Sequence, residues 1–272
     1  MNKKPVGIFD SGIGGLTVAR EVFRHLPNED VIYFGDTARV PYGTKGYDTI
    51  RKFSFSDMKF LAGRDIKLAV VACNTTSATS LEYLRRKFPR IPVIGVIKPA
   101  VALATICTRN RKIGIIGTES TISSGTYAKE IKKVSGNISV FGQACPLFVP
   151  LVEEGWTDCR ETSLIVSKYL QPLKKKGIDT IILGCTHYPL LTKVIAKVMG
   201  KNVAIINSAG VVAEECREVL KEMGLLNEGR RKGTHKFFVS DNPQKFKRVG
   251  EKFLGHRIGS VSKVDIDKYM QQ

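Results

Sequence analysis

The segment at residues 6–15, VGIFDSGIGG, carries the fold in miniature. Residues 6–9 form a short apolar run, Asp10 and Ser11 close it, and Gly12, Gly14 and Gly15 make a turn that permits close backbone approach. Residues 15–25 then show the apolar spacing of a helix. Strand, tight turn and helix in that order open a parallel α/β unit, and ligands of such units collect beyond the carboxyl ends of the strands. The same order returns in IGIIGTESTISSG, residues 113–125, where hydroxyls partly replace glycines. Each copy is followed by a cysteine at the end of a later apolar run: Cys73 in VVACNTTSA (70–78) and Cys185 in LGCTHYPLL (183–191). The chain therefore reads as two related halves, weak in identity and consistent in order.

Apolar runs at 6–9, 31–34, 68–72, 93–96, 112–116, 139–143, 180–183, 203–206 and 236–239 read as strands. Segments 15–25, 44–61, 76–88, 120–134, 158–175, 190–199, 209–223 and 243–254 read as helices. Regular alternation of the two predicts an α/β fold: two similar three-layer lobes with mostly parallel sheets and the active site in the cleft between them. Residues 1–96 together with 207–272 are expected to form the first lobe, and residues 97–206 the second, as when one domain is inserted into another. Facing lobes would bring Cys73 and Cys185 to opposite walls of one cleft.

Composition narrows the function classes. A chain of 272 residues with 43% hydrophobic content can bury substantial cores. It has neither the ~18-residue apolar run of a membrane span nor a signal-peptide core, so a soluble, cytoplasmic protein is expected. The six cysteines contain no CxxC pair, which favours thiols over disulfides and offers no structural zinc set. The net charge of +18 could steer the chain toward nucleic acid or an anionic small molecule, and solvated surface charge is the favoured reading. Its densest groups are residues 174–176, 230–232 and 245–248, dispersed and without interleaved aromatic residues. Neither nucleic acid nor membrane is the expected partner.

Cys107, Cys145, Cys159 and Cys216 read as small buried hydrophobes. Cys73 and Cys185 stand apart because polar side chains follow them, Asn74, Thr75 and Thr76 after the first, Thr186 and His187 after the second. These are good ligands for a carboxylate. A nucleophilic cysteine enzyme needs one thiol with a base, and a redox dithiol needs two within bonding distance. Racemisation without a cofactor needs one base on each face of a stereocentre, a symmetry that two equivalent thiols suit. An ordinary thiol, with a pKa of about 8.5, is mostly protonated at neutral pH, so one of the pair must be poised as thiolate. His187 and Asp10 are placed to shift these protonation states. The glycine-rich turn after Asp10 could hold a nucleotide, but the acid there puts like charge against pyrophosphate and better suits an ammonium. In GDTARVPYGTKG (35–46), Pro41 and Gly43 shape a loop around Tyr42, either structural or offering amides to a second carboxylate.

At this point the motifs GIFDSGIGGLTV, YFGDTARVPYG, ACNTTSA, GVIKPA, PLFVPLVEEG and LGCTHYPLL together resemble the bacterial glutamate racemases of the cofactor-independent aspartate/glutamate racemase superfamily. The resemblance runs from about residue 6 to 191 and more loosely onward. It implies interconversion of L- and D-glutamate without pyridoxal phosphate, metal or other cofactor, in supply of D-glutamate for peptidoglycan. It makes Cys73 and Cys185 the acid/base pair, Cys73 acting on D-glutamate and Cys185 on L-glutamate. Asp10, His187 and Glu153 become their auxiliaries. Substrate contacts are expected from Asp10, Ser11, Tyr42, Gly43, Asn74, Thr75, Thr118, Thr121, Thr186 and His187, and a homodimer is expected. Val40 departs from the cysteine common before PYG, and INSAG (206–210) departs from an acidic pattern, which puts any role of that acid in doubt. Aspartate remains an alternative substrate, since one methylene alters pocket binding by only ~1–3 kcal/mol. A basic nucleic-acid-associated protein and a thiol redox protein are the readings from other classes.

Overall fold

The computed structural model describes residues 3–270. Its strands are β1 (Val6–Asp10), β2 (Val31–Gly35), β3 (Leu68–Val71), β4 (Val93–Gly95), β5 (Lys112–Gly117), β6 (Ser139–Ala144), β7 (Thr180–Gly184), β8 (Ala204–Ile206), β9 (His235–Val239) and β10 (Val261–Lys263). They build two sheets, in the orders β10-β9-β2-β1-β3-β4 and β6-β5-β7-β8. Every strand pairing among the described residues is parallel. Four consecutive strands of the first sheet, β2-β1-β3-β4, and the whole second sheet, β6-β5-β7-β8, share one connectivity. The repeat seen in the sequence is thus a repeat of topology, with β1 equivalent to β5 and β3 to β7. The end of the chain returns to the first sheet, where β9 pairs with β2.

β1, β2, β3 and β7 are buried along their whole lengths, which is why they read as unbroken apolar runs rather than as alternating ones. Successive side chains enter opposite faces. Ile8, Tyr33 and Val70 join a continuous apolar cluster that extends to Phe148, Leu183 and Tyr188 of the second half. Phe9, Phe34 and Val71 pack with Phe60 on the other face.

The helices are α1 (Leu16–His25), α2 (Tyr47–Ala62), α3 (Asn74–Thr79), α4 (Leu81–Lys87), α5 (Ile97–Cys107), α6 (Glu119–Ser123), α7 (Thr126–Val134), α8 (Phe148–Glu153), α9 (Arg160–Lys175), α10 (Thr192–Met199), α11 (Ala209–Glu222) and α12 (Pro243–Leu254). None among the described residues is long and apolar enough to cross a membrane. Three elements differ from the sequence expectation. Residues 97–107, which received no element from the sequence, form α5, and its Pro99 sits in the first turn, where proline displaces no intrahelical hydrogen bond. The helix expected at 120–134 breaks into α6 and α7 because Gly125 takes φ +64°. The one at 76–88 starts earlier, at Asn74, and divides at Ser80, whose φ of −128° is not helical. Short α8 and β10 escaped notice because neither is long enough to show a period.

Candidate active site

Cys185 directly follows β7, and Cys73 lies just past β3, at the start of α3. Because β3 and β7 hold equivalent places in the two strand orders, the two thiols are topological counterparts. Both line one cavity of about 340 Å³.

On the first wall, the Cys73 thiol donates to Ser11 Oγ at 3.6 Å. Burial, followed by the charge of Asp10, pushes it up to about 11. Asp10 itself is fully buried and does not reach the cavity. Its Oδ2 accepts the Gly12 amide at 3.0 Å, and Oδ1 accepts the Thr186 hydroxyl at 3.5 Å. Burial raises its pKa, opposed by the charge of His187 and by the amides of Gly15 and Gly12. Asp10 therefore stands behind the Ser11 wall instead of presenting a carboxylate to an ammonium group.

On the second wall, Cys185 Sγ lies 3.9 Å from His187 Nδ1, and His187 Nε2 lies 3.3 Å from Glu153 Oε1. Burial pulls the imidazole down, but the contacts with Cys185 and Glu153 and the charge of Asp10 outweigh it and hold His187 at about 10. Glu153, lowered by its hydrogen bond with His187 against partial burial, also pairs with Lys245 at 3.7 Å. Lys245 stands on α12 and Glu153 on α8, so this side of the site is tied to both halves of the chain. The His187 ring meets the Phe253 ring edge-on, with centroids 5.4 Å apart.

Hydroxyls close the floor. Thr75 Oγ1 lies 2.9 Å from Thr118 Oγ1 and 3.3 Å from Thr121 Oγ1, and Thr118 and Thr121 are 2.9 Å apart. Thr118 lines the cavity, whereas Thr121 supports it from behind. The Asn74 side-chain oxygen accepts the Tyr127 hydroxyl at 2.6 Å. Tyr42 and Gly43 line the cavity next to Thr118. The Tyr42 phenol turns away toward Asp36 and Asp57, so its backbone is what faces the cavity. Glycine is required at 43, because a Cβ there would stand 2.5 Å from Thr118 Cβ. The Ser120 hydroxyl lies 2.9 Å from the Gly43 carbonyl oxygen and 3.1 Å from that of Lys45 and shares its proton between them, fastening this loop to α6.

Of the predicted residues, Ser11, Tyr42, Gly43, Cys73, Asn74, Thr75, Thr118, Glu153, Cys185, Thr186 and His187 share the cavity. Sequence reasoning missed Val40, Thr44, Glu119, Val149, Pro150 and Glu154, which also line it. Val149 and Pro150 sit one turn before Glu153 and Glu154, a helical spacing already present in PLFVPLVEEG. Lys245 had no local signal to separate it from the other lysines.

Known proteins share the sequence and the fold. Residues 15–216 match the Asp/Glu/Hydantoin racemase family model. A glutamate racemase of Geobacter metallireducens is 50% identical over 264 residues, covering 97% of each chain. The crystal structure of a glutamate racemase isoform from Bacillus anthracis superposes with a TM-score of 0.93 at 40% identity, over 97% of this chain and 98% of that one. That of the Francisella tularensis glutamate racemase, in complex with D-glutamate, gives the same TM-score and identity over 99% and 100%. With two equivalent thiols lining one cavity and relatives alike over nearly the full length, the chain belongs to the Asp/Glu/Hydantoin racemase family and, within it, to the glutamate racemases.

Proposed function

We propose that this enzyme interconverts L- and D-glutamate with Cys73 and Cys185 as the two acid/bases. The observation that carries the reading is the arrival of both thiols, from equivalent strand ends, in one cavity. Their surroundings are opposite in sign. Cys73 lies near Asp10 and is held protonated, while Cys185 lies beside a histidine that stays cationic well past neutrality. In the direction from L to D, the Cys185 sulfur takes the α-proton, and the electron pair remains on the α-carbon. The Cys73 S–H then delivers its proton to the opposite face. The reverse reaction exchanges the two roles. Negative charge developing at the substrate carboxylate is met by preorganised donors, for which Asn74, Thr75 and the backbone of Ser11, Gly43 and Thr186 are placed. Asp10 acts from behind, through Thr186 and the Gly12 amide.

The two sheets support a division into one lobe of residues 1–96 with 207–272 and a second of residues 97–206. A cytoplasmic homodimer supplying D-glutamate to peptidoglycan synthesis completes the reading. Incubation with L-glutamate in D2O should yield D-glutamate deuterated at the α-carbon. Absence of both exchange and racemisation in folded enzyme would defeat the reading.

Glu153 gives a directional test. In the wild type, L-to-D activity should persist until His187 loses its proton near pH 10. Glu153→Gln removes a charge-assisted hydrogen bond that raises the imidazole. The alkaline limb of the rate profile should then move to lower pH by about one unit, the scale of one such bond. An unmoved limb would exclude His187 as the group whose charge supports the reaction.

A further inference from the structure

The loop that brings Tyr42 and Gly43 to the cavity is anchored on a cluster that no step above uses. Asp36, at the end of β2, and Asp57, on α2, are fully buried, and Tyr42 is 2% exposed. Arg39 lies between the two acids, its Nε donating to Asp36 Oδ2 at 2.6 Å and its Nη2 to Asp57 Oδ1 at 2.8 Å. Its guanidinium also lies over the Phe53 ring, 4.3 Å from the centroid. Ser240 donates to Asp36 Oδ1 at 2.8 Å. The Tyr42 phenol oxygen is within hydrogen-bond reach of both Asp36 Oδ2 and Asp57 Oδ2, the second at 3.0 Å.

Hydrogen counting decides how this cluster is charged. A phenol has one proton to donate and can satisfy one of two carboxylate oxygens; the other contact becomes a hydrogen bond only if that carboxyl supplies a proton. Asp36 already receives donors at both oxygens, from Arg39 and Ser240, and so accepts the phenol proton. Asp57 receives Arg39 at Oδ1, leaving Oδ2 to carry a proton toward the phenol oxygen. Two ionised acids against one guanidinium would leave a net charge buried, which is costly, whereas one ionised acid balances it. Burial and then the charge of Asp36 push the Asp57 carboxyl well up, in the same direction.

We propose that Asp57 is a neutral carboxylic acid that donates to Tyr42, and that this acid, Asp36 and Arg39 together are positioning residues which fix the backbone of Tyr42 and Gly43 against the substrate. The proposal rests on the racemase reading for its kinetic consequence only. Asparagine reproduces the neutral acid, with an amide N–H for the phenol and an oxygen for Arg39, whereas alanine reproduces neither. Asp57→Asn should keep KM for glutamate within about twofold of the wild type. Asp57→Ala should raise KM about tenfold or more with a smaller change in kcat, as expected when buried partners are left unmatched. A folded Asp57→Asn enzyme as impaired as Asp57→Ala would overturn the proposal.

A second measurement needs neither variant nor activity. In wild-type protein carrying carbon-13 in its aspartates, the sequentially assigned Asp57 carboxyl carbon should resonate as a protonated acid at neutral pH. An ordinary carboxylate shift there would overturn the network and leave the racemase reading untouched. A protonated Asp57 in an enzyme that does not racemise glutamate would overturn only that reading, with the network standing.

Discussion

Cys73→Ser and Cys185→Ser should each lower glutamate racemisation by roughly 10²- to 10⁴-fold in both directions, the range contributed by a positioned acid/base. Serine preserves the size of each side chain and its place at the strand end, so the fold and the cavity should persist. What it removes is a group able to carry the proton, because an alcohol is a far weaker acid than a thiol. Loss in both directions follows because every turnover requires one removal and one delivery. The two variants should differ in exchange. With Cys185 intact, Cys73→Ser should still wash the α-proton of L-glutamate into solvent faster than that of D-glutamate, and Cys185→Ser should show the opposite preference. Polarimetry and proton NMR in D2O would read both quantities. Either variant retaining a tenth of wild-type racemisation would remove that thiol from the mechanism.

Gly14→Ala should be nearly as damaging, although residue 14 contributes nothing to proton transfer. A Cβ built there would lie 2.3 Å from Thr186 Oγ1 and 2.4 Å from His187 Nδ1. The second of these atoms is the one that faces Cys185, and Thr186 is the one that bonds Asp10. Both side chains are buried and packed, so accommodation means displacing the wall of the site. Misplacement of catalytic groups by an ångström can cost about 10²-fold in rate, which is the loss expected in kcat. Overpacking should also lower stability by about 1–3 kcal/mol in chemical denaturation. Gly46→Ala is the matched control, since no atom lies within 4 Å of the added carbon. Equal activity of the two variants would mean that the glycine turn does not fix the histidine.

What the sequence made legible was local or repeated. The buried strands announced themselves as apolar runs because parallel strands covered on both faces need no polar alternation. The thiols were legible because each broke such a run with polar neighbours, and the second copy gave the first its meaning. Asp10 was placed at the correct strand end but given the wrong reach, because the nearby Gly12 amide and the distant Thr186 hydroxyl capture its oxygens. Helix α5 was hidden by being apolar on most of its surface, which leaves no period to read. The association of Arg39 with Asp57, and of Lys245 with Glu153, depends on which elements the fold brings together. Such pairs leave no local pattern, since a lysine paired with a partly buried acid and a lysine in solvent are spelled alike.

The two walls of the cavity are alike in topology and opposite in charge, with a cationic imidazole beside Cys185 and an acid near Cys73. For a reaction between mirror images in achiral water, the equilibrium constant is unity whatever the enzyme does. The Haldane relation then requires kcat/KM to be equal in the two directions. The electrostatic inequality of the walls has no means of favouring one enantiomer at equilibrium. It can appear only as matched differences in kcat and KM, with whichever enantiomer binds more tightly turning over more slowly in the same proportion.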